Sequence, residues 1–145
     1  WSRGLGDVYK RQLWDSLRVA AETVWAEPDI PGEYYALSLI YMELGQRDDA
    51  LRWARAARER YAPGPCSIDD YRVQRHNSCT MLARILARFG QYDEALDIVE
   101  ELLPPPSLLS LHLLQLDLAW KDLWGHPRFE RVLVEYADMV EVPRG

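Results

Sequence analysis

Three acidic pairs are the first groups in this chain that could do chemistry: Asp48 with Asp49, Asp69 with Asp70, and Glu100 with Glu101. Paired carboxylates serve general acid–base catalysis when a shared pocket drives their proton affinities apart, and adjacency in sequence does not supply one. Each pair falls at an expected helix start or on a polar helix face, where solvated charge is the ordinary outcome. His76, Cys79 and Cys66 form a second group. A structural zinc takes four ligands at paired spacings, and these residues show neither, so a buried thiol at Cys79 is favoured over a metal site. His112 lies in an apolar stretch and His126 beside a helix start, both structural placements. No nucleophile elbow, phosphate loop or dinucleotide fingerprint occurs. The expectation is a noncatalytic chain with no cofactor and no metal.

Composition narrows the partners. The 145 residues are 48% apolar and 28% charged, which suits one globular domain. A formal net charge of −6 argues against nucleic acid, whose phosphates need a basic face. Two cysteines make no disulfide framework and point to a reducing, cytoplasmic setting. The longest apolar run, LLSLHLLQL at 108–116, is far short of the roughly 20 residues of a membrane span, so no membrane contact is expected for this segment. At the start, SRGLGDVYKRQ can be written in codons that spell a transposase-based sequencing adapter. That spelling predicts that residues 1–12 are non-native, that a longer protein lay upstream, and that the genuine part carries a charge of −8. It also sets aside the one glycine cluster, GLG at 4–6.

The elements that must position any site come from an internal repeat. GQRDDAL at Gly45–Leu51 returns as GQYDEAL at Gly90–Leu96. Around it Leu37 matches Leu82, Ser38 matches Ala83, Tyr41 matches Leu86 and Ala54 matches Val99. Apolar residues four apart line one helical face. The glycines stand where a helix ends in a left-handed residue. Ala50 and Ala95 are small where antiparallel helices must approach, and the acidic pairs after each turn favour the dipole of the second helix. The unit is helix, glycine turn, helix, used twice.

These residues resemble the tetratricopeptide repeat, a helical hairpin with a bulky residue, a Leu beside a small one, a Tyr, the turn Gly, an Ala and a closing Pro. Tyr34, Leu37, Ser38, Tyr41, Gly45, Ala50 and Ala57 fit the first copy; Leu82, Ala83, Leu86, Gly90, Ala95 and Leu102 fit the second. Two departures are Cys79 in the bulky slot and a spacing of 45 residues between the turn glycines where the family uses 34. The excess falls around YAPGPCSIDDYR and predicts a loop or an extended first helix. One repeat earlier, Ser16, Ala20 and Pro28 keep the register of a second helix that has lost its first, which predicts that Trp14, Leu17 and Val24 are exposed. The resemblance implies an all-α superhelix of antiparallel hairpins: 13–28 as an orphaned second helix, 31–63 and 70–103 as repeats, and 107–140 as a C-terminal cap.

It further implies that the first helices line a concave surface carrying Tyr35, Leu39, Met42, Asn77, Thr80, Arg84 and Arg88. Arg84 and Arg88, four apart, form a candidate clamp for a carboxylate or acidic peptide, with solvated pairing to Asp93 or Glu94 as the plainer reading. The partner class implied is a protein or peptide, with self-association through the open N-terminal face as a second expectation.

After Leu103 the PPP at 104–106 stops the helix, and Ser107 is the expected cap of a short helix over 107–116. The tail resembles the ending of many bacterial tetratricopeptide proteins, roughly L-D-P-x-W-D-P-L-R-D-D-P-R-F. Leu116, Asp117, Trp120, Leu123, Pro127, Arg128 and Phe129 match, while Leu118, Asp122, Trp124, Gly125 and His126 depart. Two lost prolines predict a more helical link over 117–125, and Phe129, Val132, Leu133 and Tyr136 predict a closing helix. In such proteins the tail follows winged-helix, adenylate cyclase or serine/threonine kinase parts. A noncatalytic interaction module is therefore the first reading, and the regulatory tail of such a signalling protein the alternative.

Overall fold

The computed structural model describes residues 2–67, 73–104 and 109–140, with the side chains of 4–67, 75–104 and 109–138. Seven α-helices occur among the described residues: α1 Ser2–Val24, α2 Pro31–Glu43, α3 Arg47–Tyr61, α4 Val73–Arg88, α5 Tyr92–Leu102, α6 Leu111–Leu116 and α7 Pro127–Val140. A 3-10 helix, Leu118–Leu123, links α6 to α7, as the loss of the two prolines predicts. The described residues contain no strand, and the fold is an all-α stack of helical hairpins.

Local chemistry sets the hairpin ends. Pro31 opens α2 with its fixed φ, and Glu33 reaches back to accept the N–H groups of Asp29 at 2.7 Å and Ile30 at 3.4 Å. The close of α2 is a Schellman turn: Gly45, at φ +73°, donates to Met42 O, and Gln46 donates to Tyr41 O at 2.9 Å. The close of α4 repeats it, with Gly90 at φ +78° donating to Ala87 O and Gln91 donating to Leu86 O. A Cβ on Gly90 would meet only the Tyr92 ring, at 4.0 Å, so Gly90→Ala carries the backbone penalty alone. The expected loss is about 1–2 kcal/mol in urea denaturation. A neutral result would show that the turn relaxes.

Packing follows the repeat. Ala50, Ala57 and Ala95 are fully buried and Ala54 nearly so, which lets α2 close on α3 and α4 on α5. α3 in turn packs on α4, so two hairpins share one core through Leu37, Leu82, Ile85, Leu86, Leu96 and Val99. Trp120, Leu123, Phe129 and Val132 continue that core into the cap.

Several expectations need revision. α1 runs unbroken across Gln12, and Gly4 to Leu13 are all exposed along it. Leu17 and Val24 are open at 41% and 73% exposure, as expected, but Trp14 is half-buried against the core because it lies on the α2 side of the helix. The short helix expected over 107–116 starts at Leu111, and its cap is Ser110, whose Oγ accepts the Leu113 N–H at 3.2 Å. The expected Ser107 cap lies outside the described residues. Cys79 is not a free thiol: it is bonded to Cys66, and both are fully buried. The residues inserted between the repeats include an irregular segment over 62–67 that brings Cys66 onto Cys79, the residue in the bulky slot. With both thiols consumed, the inference of a reducing compartment loses its ground.

Candidate partner-binding face

The first helices of the two hairpins, α2 and α4, lie side by side, and the 3-10 helix adjoins α4. Tyr35 Oη and Ser78 Oγ are 2.8 Å apart across the α2–α4 seam. At the turn end, Arg88 Nε donates to Asp122 at 3.0 Å, and its guanidinium stands 3.5 Å from Glu43. One arginine thus joins α2, α4 and the 3-10 helix along the face that the repeat pattern assigns to the concave side.

The seven candidate residues divide on this face. Asn77 is exposed; Tyr35, Leu39, Thr80 and Arg84 are half-buried. Burial raises the Tyr35 phenol above its ordinary pKa, against the opposing hydrogen bond to Ser78. Thr80 Oγ1 and Arg84 Nε are both buried and have no hydrogen-bond partner among the described residues. They stand four apart, one above the other on α4. Arg84 makes no ion pair with the described residues. Met42 is a correction: it is 4% exposed and belongs to the core, at the end of α2 where Glu43 reaches Arg88. The two-arginine clamp is corrected as well, since Arg88 is engaged by Glu43 and Asp122. The pairing offered as the plainer reading also fails, because Asp93 meets Arg128 and Glu94 meets Arg55.

Most of the other chemistry-bearing residues that the structure describes have structural partners. Asp49 pairs with Arg52 at 3.3 Å, Asp48 stands 3.5 Å from Arg47, and Asp69 and Asp70 lie outside the described residues. Glu101 accepts the Cys66 N–H at 2.7 Å, which pins the inserted segment to α5. Glu100, with Asp93 and Asp97, receives Arg128 from α7 at 3.2, 3.4 and 2.5 Å respectively. That junction was carried in the sequence only by the Pro-Arg-Phe of the tail pattern. His126 Nδ1 accepts the Arg128 N–H at 3.2 Å, and its ring lies 4.9 Å from that of Tyr92. His76 is buried, which lowers its pKa, and its Nδ1 has no partner among the described residues. His112 is exposed. The described residues contain no cluster of three His, Cys, Asp or Glu arranged to hold a metal ion.

Tyr41 gives the stack a pH dependence. Its hydroxyl donates to Glu22 of α1, joining the first two helices. Burial, and then the Glu22 carboxylate, push the Tyr41 phenol up to about 12. The bond to Tyr41 holds the Glu22 carboxyl below its ordinary value, against partial burial. For Tyr41 the raised value means stability that is complete below pH 10 and lost as pH climbs from 10 to 12. Glu22 adds stability above the ordinary carboxylate range that is lost as pH falls through its depressed value. Tyr41→Phe is expected to flatten the alkaline limb of a melting-temperature profile. An unchanged limb would refute the assignment.

Two hairpins of one pattern, stacked in register and closed by a terminal helix, define an all-α repeat protein of the superhelical class. The Tetratricopeptide repeat family model matches residues 34–56 and 77–101, the two hairpins seen here. The chain contains two tetratricopeptide repeats. Repeats of this family are generally protein–protein interaction modules and typically noncatalytic. No curated protein and no solved structure matches the chain. Among the described residues no helix is long and apolar enough to cross a membrane.

Proposed function

We propose that this chain is a noncatalytic module that holds an acidic peptide, or an acidic segment of an effector domain, on the concave face of α2 and α4. The observation that carries this reading is Arg84, a cation without an ion pair among the described residues, whose buried Nε lacks a partner one turn from the equally unpartnered Thr80 hydroxyl. A buried donor left unmade is costly, and an incoming carboxylate would supply its acceptor. Asn77 and Tyr35 border the same face. Arg88 supports the face by fixing the spacing of the helices and does not contact the peptide.

The test is calorimetric titration with a panel of short acidic peptides. Arg84→Glu is expected to weaken binding about tenfold or more, since a repelled carboxylate replaces an attracted one. Arg88→Glu is expected to lower the unfolding midpoint as well, because it sets a third carboxylate against Glu43 and Asp122. Acidic peptides that bind with unchanged affinity to the Arg84→Glu protein would remove the reading.

A further inference from the structure

The Cys66–Cys79 bond joins two sulfurs in opposite electrostatic settings. Cys79 stands inside α4, and Arg58 of α3 donates from Nη1 to its Sγ at 3.3 Å. That guanidinium has no ion pair among the described residues, and its other hydrogen bonds go to the carbonyls of Ala62 and Gly64. Cys66 lies in the irregular segment 62–67, and its N–H is held by the Glu101 carboxylate at 2.7 Å. A cation thus touches one sulfur, and an anion is bonded to the backbone of the other residue. A thiolate formed at Cys79 keeps a charge-assisted hydrogen bond, whereas one formed at Cys66 is set beside a carboxylate. The cover differs too. Both cysteines are 0% exposed, so any exchange begins with a local opening. Pro63, Gly64 and Pro65 are exposed and belong to no helix, so opening there bares Cys66. Baring Cys79 requires α4 to part from α3.

We propose that Cys66 is a site of S-thiolation: a low-molecular-weight thiol attacks its sulfur, and Cys79 leaves as a thiolate held by Arg58. The incoming thiolate forms a sulfur–sulfur bond to Cys66, the Cys66–Cys79 bond breaks, and the electron pair passes to Cys79 Sγ. No proton moves in that step. A second thiol then attacks the first, departs with it as a small disulfide and leaves both cysteines reduced; a small disulfide runs the two steps backwards. Exchange is faster when the departing sulfur is the more acidic one, and here the more acidic sulfur is also the less accessible to attack. Both factors direct the adduct to Cys66. The charged groups around the pair are Arg58, Glu59 and the Glu94-paired Arg55 from α3, Glu101 from α5, and Arg75 and His76 on α4 itself. The charges that α2 and the 3-10 helix bring to α4, Glu43 and Asp122, meet it at Arg88 near its other end. This site does not involve Arg84 and does not depend on the acidic-peptide reading.

The experiment treats the oxidised full chain with reduced glutathione, quenches with acid, and maps the adducts by mass spectrometry after non-reducing digestion. Glutathione is expected on Cys66 in preference to Cys79 by about tenfold or more. Adducts that favour Cys79, or that divide evenly, overturn the proposal, as does the absence of any adduct. A second measurement does not need the sulfurs to be accessible. Ultraviolet thiolate absorbance reads Cys79 in the Cys66→Ser protein and Cys66 in the Cys79→Ser protein, with the double serine variant as blank. Cys79 should ionise at a pH lower than Cys66 by about one unit or more. Arg58→Met should raise the Cys79 midpoint, and Glu101→Gln should lower that of Cys66. Should Arg58→Met fail to fold, Glu101→Gln, at an exposed residue, carries the test alone. Coincident midpoints, or midpoints that neither substitution moves, overturn the assignment of Cys79 as the departing sulfur.

Discussion

Phe129→Ala is expected to cost about 3–5 kcal/mol of unfolding free energy, the usual range for a fully buried aromatic side chain cut back to alanine. The ring is 1% exposed and sits one turn into α7, with Val132 equally buried on the next turn. Beneath them Trp120, Leu123 and Leu114 are buried in the same core, so the ring joins the cap to the rest of the stack. Truncation leaves a cavity bordered by three separate elements that cannot all collapse toward it. Urea denaturation should show a lower midpoint and little change in slope, unless the cap detaches first, in which case the transition splits in two. Val134→Ser on the same helix, at a 64% exposed position, is the control and should stay within about 0.5 kcal/mol. A Phe129→Ala loss under about 1 kcal/mol would mean that α7 does not pack as described.

Reduction of the Cys66–Cys79 disulfide carries the second large effect. The cysteines are 13 residues apart, and closing a loop of that size restrains the unfolded chain by about 3 kcal/mol. The native side loses less on reduction, because the segment keeps other ties. Arg58 donates to the carbonyls of Ala62 at 3.0 Å and Gly64 at 2.7 Å, and Glu101 holds the Cys66 N–H. Dithiothreitol should therefore lower the melting temperature by about 10 °C without changing the far-ultraviolet helix signal. The Cys66→Ser, Cys79→Ser double variant should melt near the reduced protein and ignore the reductant. A parent protein whose melting point is also indifferent to dithiothreitol would show that the bond does not form in solution.

What was legible in the sequence was whatever repeats. Gly45 and Gly90, Ala50 and Ala95, and the acidic residues that follow each turn are local signals, each with a single physical meaning, and two copies in register confirm one another. The hairpins and their turns followed from them; the stack and the helical link after Asp117 came from the family resemblance and its missing tail prolines. What was not legible depends on the inserted segment and on depth. Nothing in the spacing of Cys66 and Cys79 announces a bond, because the insertion that brings them together has no counterpart in the other copy. Met42 was placed on a face by the family resemblance, which does not report that it is buried in the core beside the contact of Glu43 with Arg88. Arg84 and Arg88 looked equivalent on a helical net. Glu43 on α2 and Asp122 on the 3-10 helix, 34 residues downstream, distinguish them by engaging Arg88.

The Arg128 junction has a mechanical consequence. One guanidinium on α7 is shared by Asp93, Asp97 and Glu100, carboxylates spaced along successive turns of α5, and these acids are themselves substantially exposed. In a stack where each layer touches only its neighbours, opening begins at an end. The C-terminal end is thus fastened by a buried ring that dissolved ions do not weaken and by a charged fork that they screen. Raising the ionic strength should therefore loosen the attachment of α7 through the fork while leaving its attachment through the ring intact.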